Sequence, residues 1–231
     1  MITRQPNRFP AMNISLVPVL VPCLFALPLL FALFCTPLSA DTANDQAQLE
    51  QLLSEIRDRV NTTGTVQCTF EQERNLSVFD RPILFTGKMA LSRPDKLRWE
   101  NVSPIPSVLI FTGDRGIRCN DDAPPVYFEL EKDPIMNMVA EQIWTWVDGD
   151  YARLQSKYDI TLKAEREIEL VPVTSDPARP IASIRVTFAS GNLQPKTIVI
   201  HETEGDSTTI HFADYQVNQP VDDKLFTACY P

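Results

Sequence analysis

Glycine and histidine are scarce, with seven glycines and two histidines in 231 residues. Phosphate-cradling loops and dinucleotide fingerprints need clustered glycines where backbone approaches a phosphate, and neither pattern occurs. No Gly-x-Ser-x-Gly elbow presents a nucleophile. His201 and His211 flank the turn around Gly205. No third histidine or cysteine stands at a ligand spacing from them, so both read as ordinary strand histidines and no metal site is expected. Glu71, Glu73 and Glu100 stand singly in alternating segments and read as solvated faces rather than an acid–base pair. These absences argue against an enzyme and against a cofactor. Basic residues are also in deficit, 21 Lys and Arg against 30 Asp and Glu, a net charge of −9. Such a chain lacks the basic footprint of a nucleic-acid binder.

What is present begins with a long apolar run. Arg4 and Arg8 precede Ile14–Phe34, and Ser39-Ala40 then leads into the polar Asp41-Thr-Ala-Asn-Asp45. This is the layout of a secretory signal, expected to span residues 1–40 and to be cleaved near Ala40. The run is long enough to span a bilayer as an uncleaved anchor, but Pro18, Pro22 and Pro28 interrupt it, and proline costs about 3 kcal/mol in a helix interior. Neither Cys23 nor Cys35 has the small preceding residue that lipidation requires. Cleavage leaves 191 residues, 41–231, enough for one domain with a sizeable core. It removes only Arg4 and Arg8 from the charged set, leaving 19 basic against 30 acidic residues, a net −11. Cys68, Cys119 and Cys229 remain. An odd number allows at most one intramolecular disulfide, and the pairing stays open.

Beyond residue 44 the hydrophobic period changes from helical to alternating. Leu49, Leu52, Leu53, Ile56 and Val60 share one helical face, which predicts a helix over 45–61 closed by Gly64. Strands are expected from Val66 to Arg74, through the odd positions Ile83 to Leu91, over Leu97 and Trp99, and from Ser107 to Thr112, Ile117 to Asn120 and Val126 to Leu130. Arg98 and Glu100 fall on the polar side of that alternation. A second helix is expected over 134–147, capped by Asp133, started by Pro134 and striped by Met136, Val139, Ala140, Ile143 and Val147. A short helix follows near 150–156. Further strands read as Tyr158–Lys163, Glu167–Val173, Ile181–Phe188, Lys196–Glu202 and Ser207–Asn218. The short connections imply antiparallel order. The sum is an α+β chain with a curved sheet of about ten strands, whose concave apolar face needs helices to cover it.

Three stretches resemble the LolA family of lipoprotein carriers: Val66-Gln-Cys-Thr-Phe-Glu-Gln72, then Phe85-Thr-Gly-Lys-Met-Ala-Leu-Ser-Arg-Pro-Asp-Lys-Leu-Arg-Trp99, then Ile198 to Phe226. The middle stretch is the most specific, with its glycine, apolar strand, Arg-Pro turn and terminal Trp. The resemblance covers most of the chain after residue 40 and is weak over 148–195. It implies a curved, half-closed antiparallel β-barrel of about ten or eleven strands with covering lid helices. It also implies a periplasmic monomer that carries acylated lipoproteins from an inner-membrane release complex to an outer-membrane receptor. By the same resemblance, Arg93 is the arginine that gates the lid. The lipid-binding cavity is expected from Phe70, Phe85, Met89, Leu91, Leu97, Trp99, Leu109 and Phe111 on strands, and Met136, Val139, Ile143 and Trp144 on the second helix. The short stretch after Phe226 and the three cysteines depart from the family pattern. They leave room for another acylated lipid or glycolipid as cargo, for a lipid-sensing regulatory module that binds a membrane partner, and for a lipid-binding subunit of a larger assembly.

Overall fold

A computed structural model describes residues 40–121, 123–147, 149–174 and 181–230. The segment read as a secretory signal, 1–40, lies outside the described residues except for Ala40. Eleven strands are laid down in chain order: β1 Thr65–Asn75, β2 Ile83–Ser92, β3 Lys96–Ser103, β4 Ser107–Thr112, β5 Arg115–Asn120, β6 Ala123–Glu129, β7 Tyr158–Ala164, β8 Glu167–Pro172, β9 Ile181–Phe188, β10 Pro195–Glu202 and β11 Ser207–Val217. They form one antiparallel sheet in the order β6-β5-β4-β3-β2-β1-β11-β10-β9-β8-β7. Every neighbour is a sequence neighbour except at the β1–β11 seam. β6 and β7 are edges that do not pair with each other, so the barrel stays open. Pro124 and Pro125 stand in β6, and an edge strand tolerates residues without a backbone N–H. Among the described residues three α-helices accompany the sheet: α1 Ala40–Asn61, α2 Pro134–Val147 and α3 Tyr151–Leu154.

Helix α1 starts five residues before the periodic stripe suggests. Its exit also differs from expectation. The carbonyls of Arg59 and Val60 accept from the N–H groups of Thr62 and Thr63, and no left-handed glycine closes the helix. Gly64 instead donates its N–H to Asn218 Oδ1 at 2.7 Å, while Asn218 Nδ2 reaches Thr62 O at 2.9 Å. One side chain thus ties the end of α1 to the end of β11.

Strand register sorts the two faces. Val66, Cys68 and Phe70 pair with Leu91, Met89 and Gly87. Leu91 and Met89 pair with Leu97 and Trp99, which pair with Phe111 and Leu109. These side chains share the concave face. Ile168, Leu170, Ile184, Val186, Ile198 and Ile210 continue it through the second half of the sheet. Two glycines let rings lie across adjacent strands. A Cβ on Gly87 would sit 2.2 Å from both Phe70 Cζ and Glu100 O, and one on Gly116 would sit 2.1 Å from Phe128 Cζ. An aromatic packed over a cross-strand glycine lets the sheet curve without a void.

The convex face carries a second, smaller core, and here the alternation misleads. Arg98 was expected to face water, yet it is buried, as are Ala90, Val108, Ile110, Cys119 and Phe226. The cover is the C-terminal tail, with its single 3-10 turn Asp223–Phe226. Arg98 donates to three tail carbonyls, Leu225 O at 3.1 Å, Ala228 O at 2.9 Å and Cys229 O at 2.7 Å. It also pairs with Glu100 at 2.8 Å, so Glu100 is not the isolated solvated carboxylate the sequence suggests. The Cys119–Cys229 disulfide fastens the tail from the other side. Cys68 is free and buried.

Replacing Gly87 by Ala forces the new methyl against backbone and ring together. The expected cost is about 1–3 kcal/mol, read as a lower urea midpoint with an unchanged slope.

Candidate functional site

The concave face is roofed by helices. Leu49, Leu52, Leu53 and Ile56 of α1 are buried in the core that fills it. From α3, Tyr151 is fully enclosed, its ring 5.8 Å from that of Phe188 in an edge contact, and burial raises its phenol pKa. The short helix is therefore a plug held from inside. Helix α2 is held less deeply. Asp133 Oδ1 caps it by accepting from Met136 N–H at 3.0 Å. Ala140 is buried in the core, while Val139, Ile143, Trp144 and Val147 pack partly buried against it.

The far end of α2 meets the Arg93-Pro94-Asp95 turn between β2 and β3. Arg93 Nη2 donates to Val147 O at 3.1 Å, and Arg93 N–H donates to Gly64 O at 2.8 Å. The last carbonyls of a helix have no intrahelical donor and bear partial negative charge. A guanidinium placed there satisfies both needs. Through backbone and side chain, this one residue connects the exit of α1, the sheet and the C-terminus of α2.

Beneath the latch the interior is packed. The Phe70 and Trp99 rings stack at 4.2 Å, and Phe212 meets them edge-on at 6.4 and 6.2 Å. The space left under Arg93, between Val60, Met89, Leu91, Val147 and Phe212, is about 20 Å³. A larger hollow of about 740 Å³ opens at the rim, between Pro94, Gly113, Ala140, Trp144, Leu154 and Tyr158. Phe70, Met89, Leu91, Leu97, Trp99 and Phe111 thus come together in one buried cluster, with Leu109, Val139, Ile143 and Trp144 at its margin. Met136 is buried but stands outside that cluster, and Phe85 is only half-buried. Of the twelve residues expected to line a cavity, Trp144 alone lines the large hollow.

The other half of the buried apolar face was not among the residues expected from the sequence. Ile184, Val186, Phe188, Ile198, Ile200, Ile210 and Phe212 form the other wall, and Tyr151 plugs it. Their alternation is present in the sequence, but Ile184, Val186 and Phe188 fall in the stretch 148–195 where the resemblance is weak, and in the C-terminal stretch plain Ile and Val alternation does not separate a cavity wall from ordinary core. The floor also holds a polar pair. Tyr215 Oη donates to Pro195 O at 2.6 Å. Burial pushes the Cys68 thiol up to about 12, against the opposing pull of its hydrogen bond with Tyr215.

Among the described residues no cluster of three or more His, Cys, Asp or Glu side chains could hold a metal. His211 Nδ1 lies 3.1 Å from Thr197 Oγ1, a strand contact. No described helix is long and apolar enough to cross a membrane.

An open antiparallel half-barrel with an apolar concave face and a helical roof hydrogen-bonded to its rim is the class this geometry defines. The chain belongs to the LolA family: the model of outer membrane lipoprotein carrier protein LolA matches residues 61–229. The outer-membrane lipoprotein carrier protein of Pseudomonas paraeruginosa is 23% identical over 206 residues, 88% of this chain and 95% of that protein. Its counterpart in Chromohalobacter salexigens is 26% identical over 142 residues, 61% of this chain and 65% of that protein. A LolA superfamily protein from Nitrosomonas europaea superposes with a TM-score of 0.41 at 11% identity, over 76% of this chain and 97% of its own.

Cys68 reports on the closure of this interior. At pH 8 in the folded protein it is expected to resist iodoacetamide, and in urea to react within minutes, measured by mass spectrometry. The raised thiol value also sets a pH trend. Its contribution to stability is fully present below the ordinary thiol range and is lost as pH rises through about 12.

Proposed function

We propose that this chain carries acylated lipid cargo, with the acyl chains held on the concave face beneath the helical roof. The observation that carries this reading is the latch: an apolar half-barrel left open at β6 and β7, roofed by α2, and joined to it through Arg93 and Val147 O. Burying one methylene is worth about 0.8 kcal/mol, so a long acyl chain prefers such a face to water by about 10 kcal/mol. Transfer between membranes through water then needs a container that opens and closes. No catalytic step is required.

The cargo we infer is the acylated N-terminus of lipoproteins, taken from an inner-membrane release complex and handed to an outer-membrane receptor. The family membership and the names of the two relatives support it. Residues 1–40 act as a cleaved secretory signal, and residues 41–231 work in the periplasm as one carrier domain. The Cys119–Cys229 disulfide suits that oxidising compartment. Arg93 gates the roof. With α2 displaced, Met89, Leu91, Trp99, Leu109 and Ile143 face the cargo together with Ile184, Ile198 and Phe212.

Two variants test the reading. Arg93→Leu removes the donor to Val147 O, and it is expected to bind a fluorescent acyl probe at least as tightly as the native chain but to pass it to acceptor vesicles about tenfold more slowly, since 1.4 kcal/mol is tenfold and a charged hydrogen bond is worth about 1.5–3 kcal/mol. Native transfer rates in this variant would remove Arg93 from gating. Ile143→Asp places a carboxylate on the roof's inner face and is expected to abolish probe uptake, at a cost of about 1–3 kcal/mol in stability. Full uptake by this variant, with a native circular dichroism spectrum, would exclude α2 from the site.

A further inference from the structure

Five large apolar side chains stand in solvent at one end of the sheet. Val78 and Phe79, 79% and 58% exposed, lie in the β1–β2 hairpin; Leu84 is the second residue of β2, Val102 the last but one of β3, and Ile105 sits between β3 and β4. Strands β1 to β4 are consecutive neighbours in the sheet. The β1–β2 and β3–β4 tips therefore project side by side. None of the five belongs to either buried cluster, so the fold does not account for them.

The first tip has a fixed shape. Phe79 N–H donates to Leu76 O at 2.9 Å, and Ser77 N–H donates to Asp206 Oδ1 at 2.7 Å, tying the tip to the β10–β11 turn. That bond holds the Asp206 carboxyl below the usual carboxylate range. Exposed apolar side chains on a constrained loop are a surface presented to something.

The chemistry of the tips selects the occupant. A protein knob needs a groove, and these are separate prongs on convex turns. Arg74 and Arg81 flank the first tip against Glu73, Asp80 and Asp206, leaving it without a cationic excess, and residues 101–107 carry no charge, in a chain whose net charge is −9. Apolar prongs beside arginines, whose stems are apolar and whose heads stay in water, suit a headgroup region. Glu202 and Glu204 stand in the neighbouring β10–β11 turn, so attachment comes from apolar insertion rather than from attraction to anionic lipid.

We propose that the β1–β2 and β3–β4 tips dock the protein on a phospholipid bilayer by inserting Val78, Phe79 and Ile105 among the headgroups. The purpose, bringing the container to a membrane that gives or takes cargo, rests on the carrier reading; the docking itself needs no cargo.

The test is flotation of the full chain, freed of residues 1–40, with vesicles of phosphatidylethanolamine and phosphatidylglycerol. The native protein is expected to float, with little dependence on salt. The triple variant Val78→Ser, Phe79→Ser, Ile105→Ser is expected to lose the bound fraction about tenfold or more, the scale set by withdrawing three apolar side chains. Tyr127→Ser, on the exposed β6 edge, is expected to float as the native chain does. Absence of native flotation, or equal flotation of the triple variant, overturns the proposal. Loss of transfer in the triple variant without any vesicle binding by the native chain also overturns it and assigns the tips to a protein receptor. Tip-dependent flotation in a chain that takes up no acyl probe sinks the carrier reading and leaves the docking edge standing.

Discussion

An unclosed sheet with an apolar concave face must cover that face with something other than its own strands. β6 and β7 stay apart, so no strand pairing seals the interior as it would in a closed barrel. Helices do the work, and they are not equivalent. α1 contributes a full stripe of buried leucines and α3 a wholly enclosed tyrosine. α2 contributes Ala140 and partly buried neighbours, and its C-terminus is joined to the sheet by the Arg93 bond to Val147 O. The roof is thus strong where it plugs and weak where it spans, which is the gradation a container needs if one part is to lift while the rest stays seated.

The convex face follows the opposite logic. Arg98 is buried with Glu100, three tail carbonyls and a disulfide around it. A buried guanidinium is costly unless each donor is satisfied, and removing its partners strands a charge. The tail is therefore committed to its place. These contacts cover the convex face, so the concave side is the one the proposed opening would use.

Much of this was legible in the sequence because burial on one side leaves a period. The α1 stripe and the odd positions of β2 announced their faces directly. Position Arg98 did not. An outward charged residue in an alternating strand reads as solvated, and the cover that buries it arrives from more than a hundred residues downstream. The Cys119–Cys229 pairing was equally silent, since three cysteines permit several pairings and only the tail's path selects one. The candidate site was half legible. The wall from β1 to β4 carries the recognisable Arg-Pro turn and Trp99, whereas the wall from β8 to β11 is plain Ile and Val alternation that fits any core. The packed interior was not legible at all, because the same apolar pattern serves a cavity wall and a filled core alike.

On the carrier reading proposed above, the energies of roof and cargo make that ambiguity useful. In this structure the side chains fill the space that acyl chains would take, with Phe70 on Trp99 and only about 20 Å³ open beneath the latch. Displacing α2 forfeits at least the charged hydrogen bond to Val147 O, about 1.5–3 kcal/mol, together with the burial of Met136, Ala140 and their half-buried neighbours. A long acyl chain returns about 10 kcal/mol against water. The closed state therefore cannot exclude cargo by strength alone. On the proposed reading it supplies a competitor within the protein: when an acceptor offers the acyl chain a comparable apolar surface, water drops out of the comparison, and the closed roof would bias the direction of transfer.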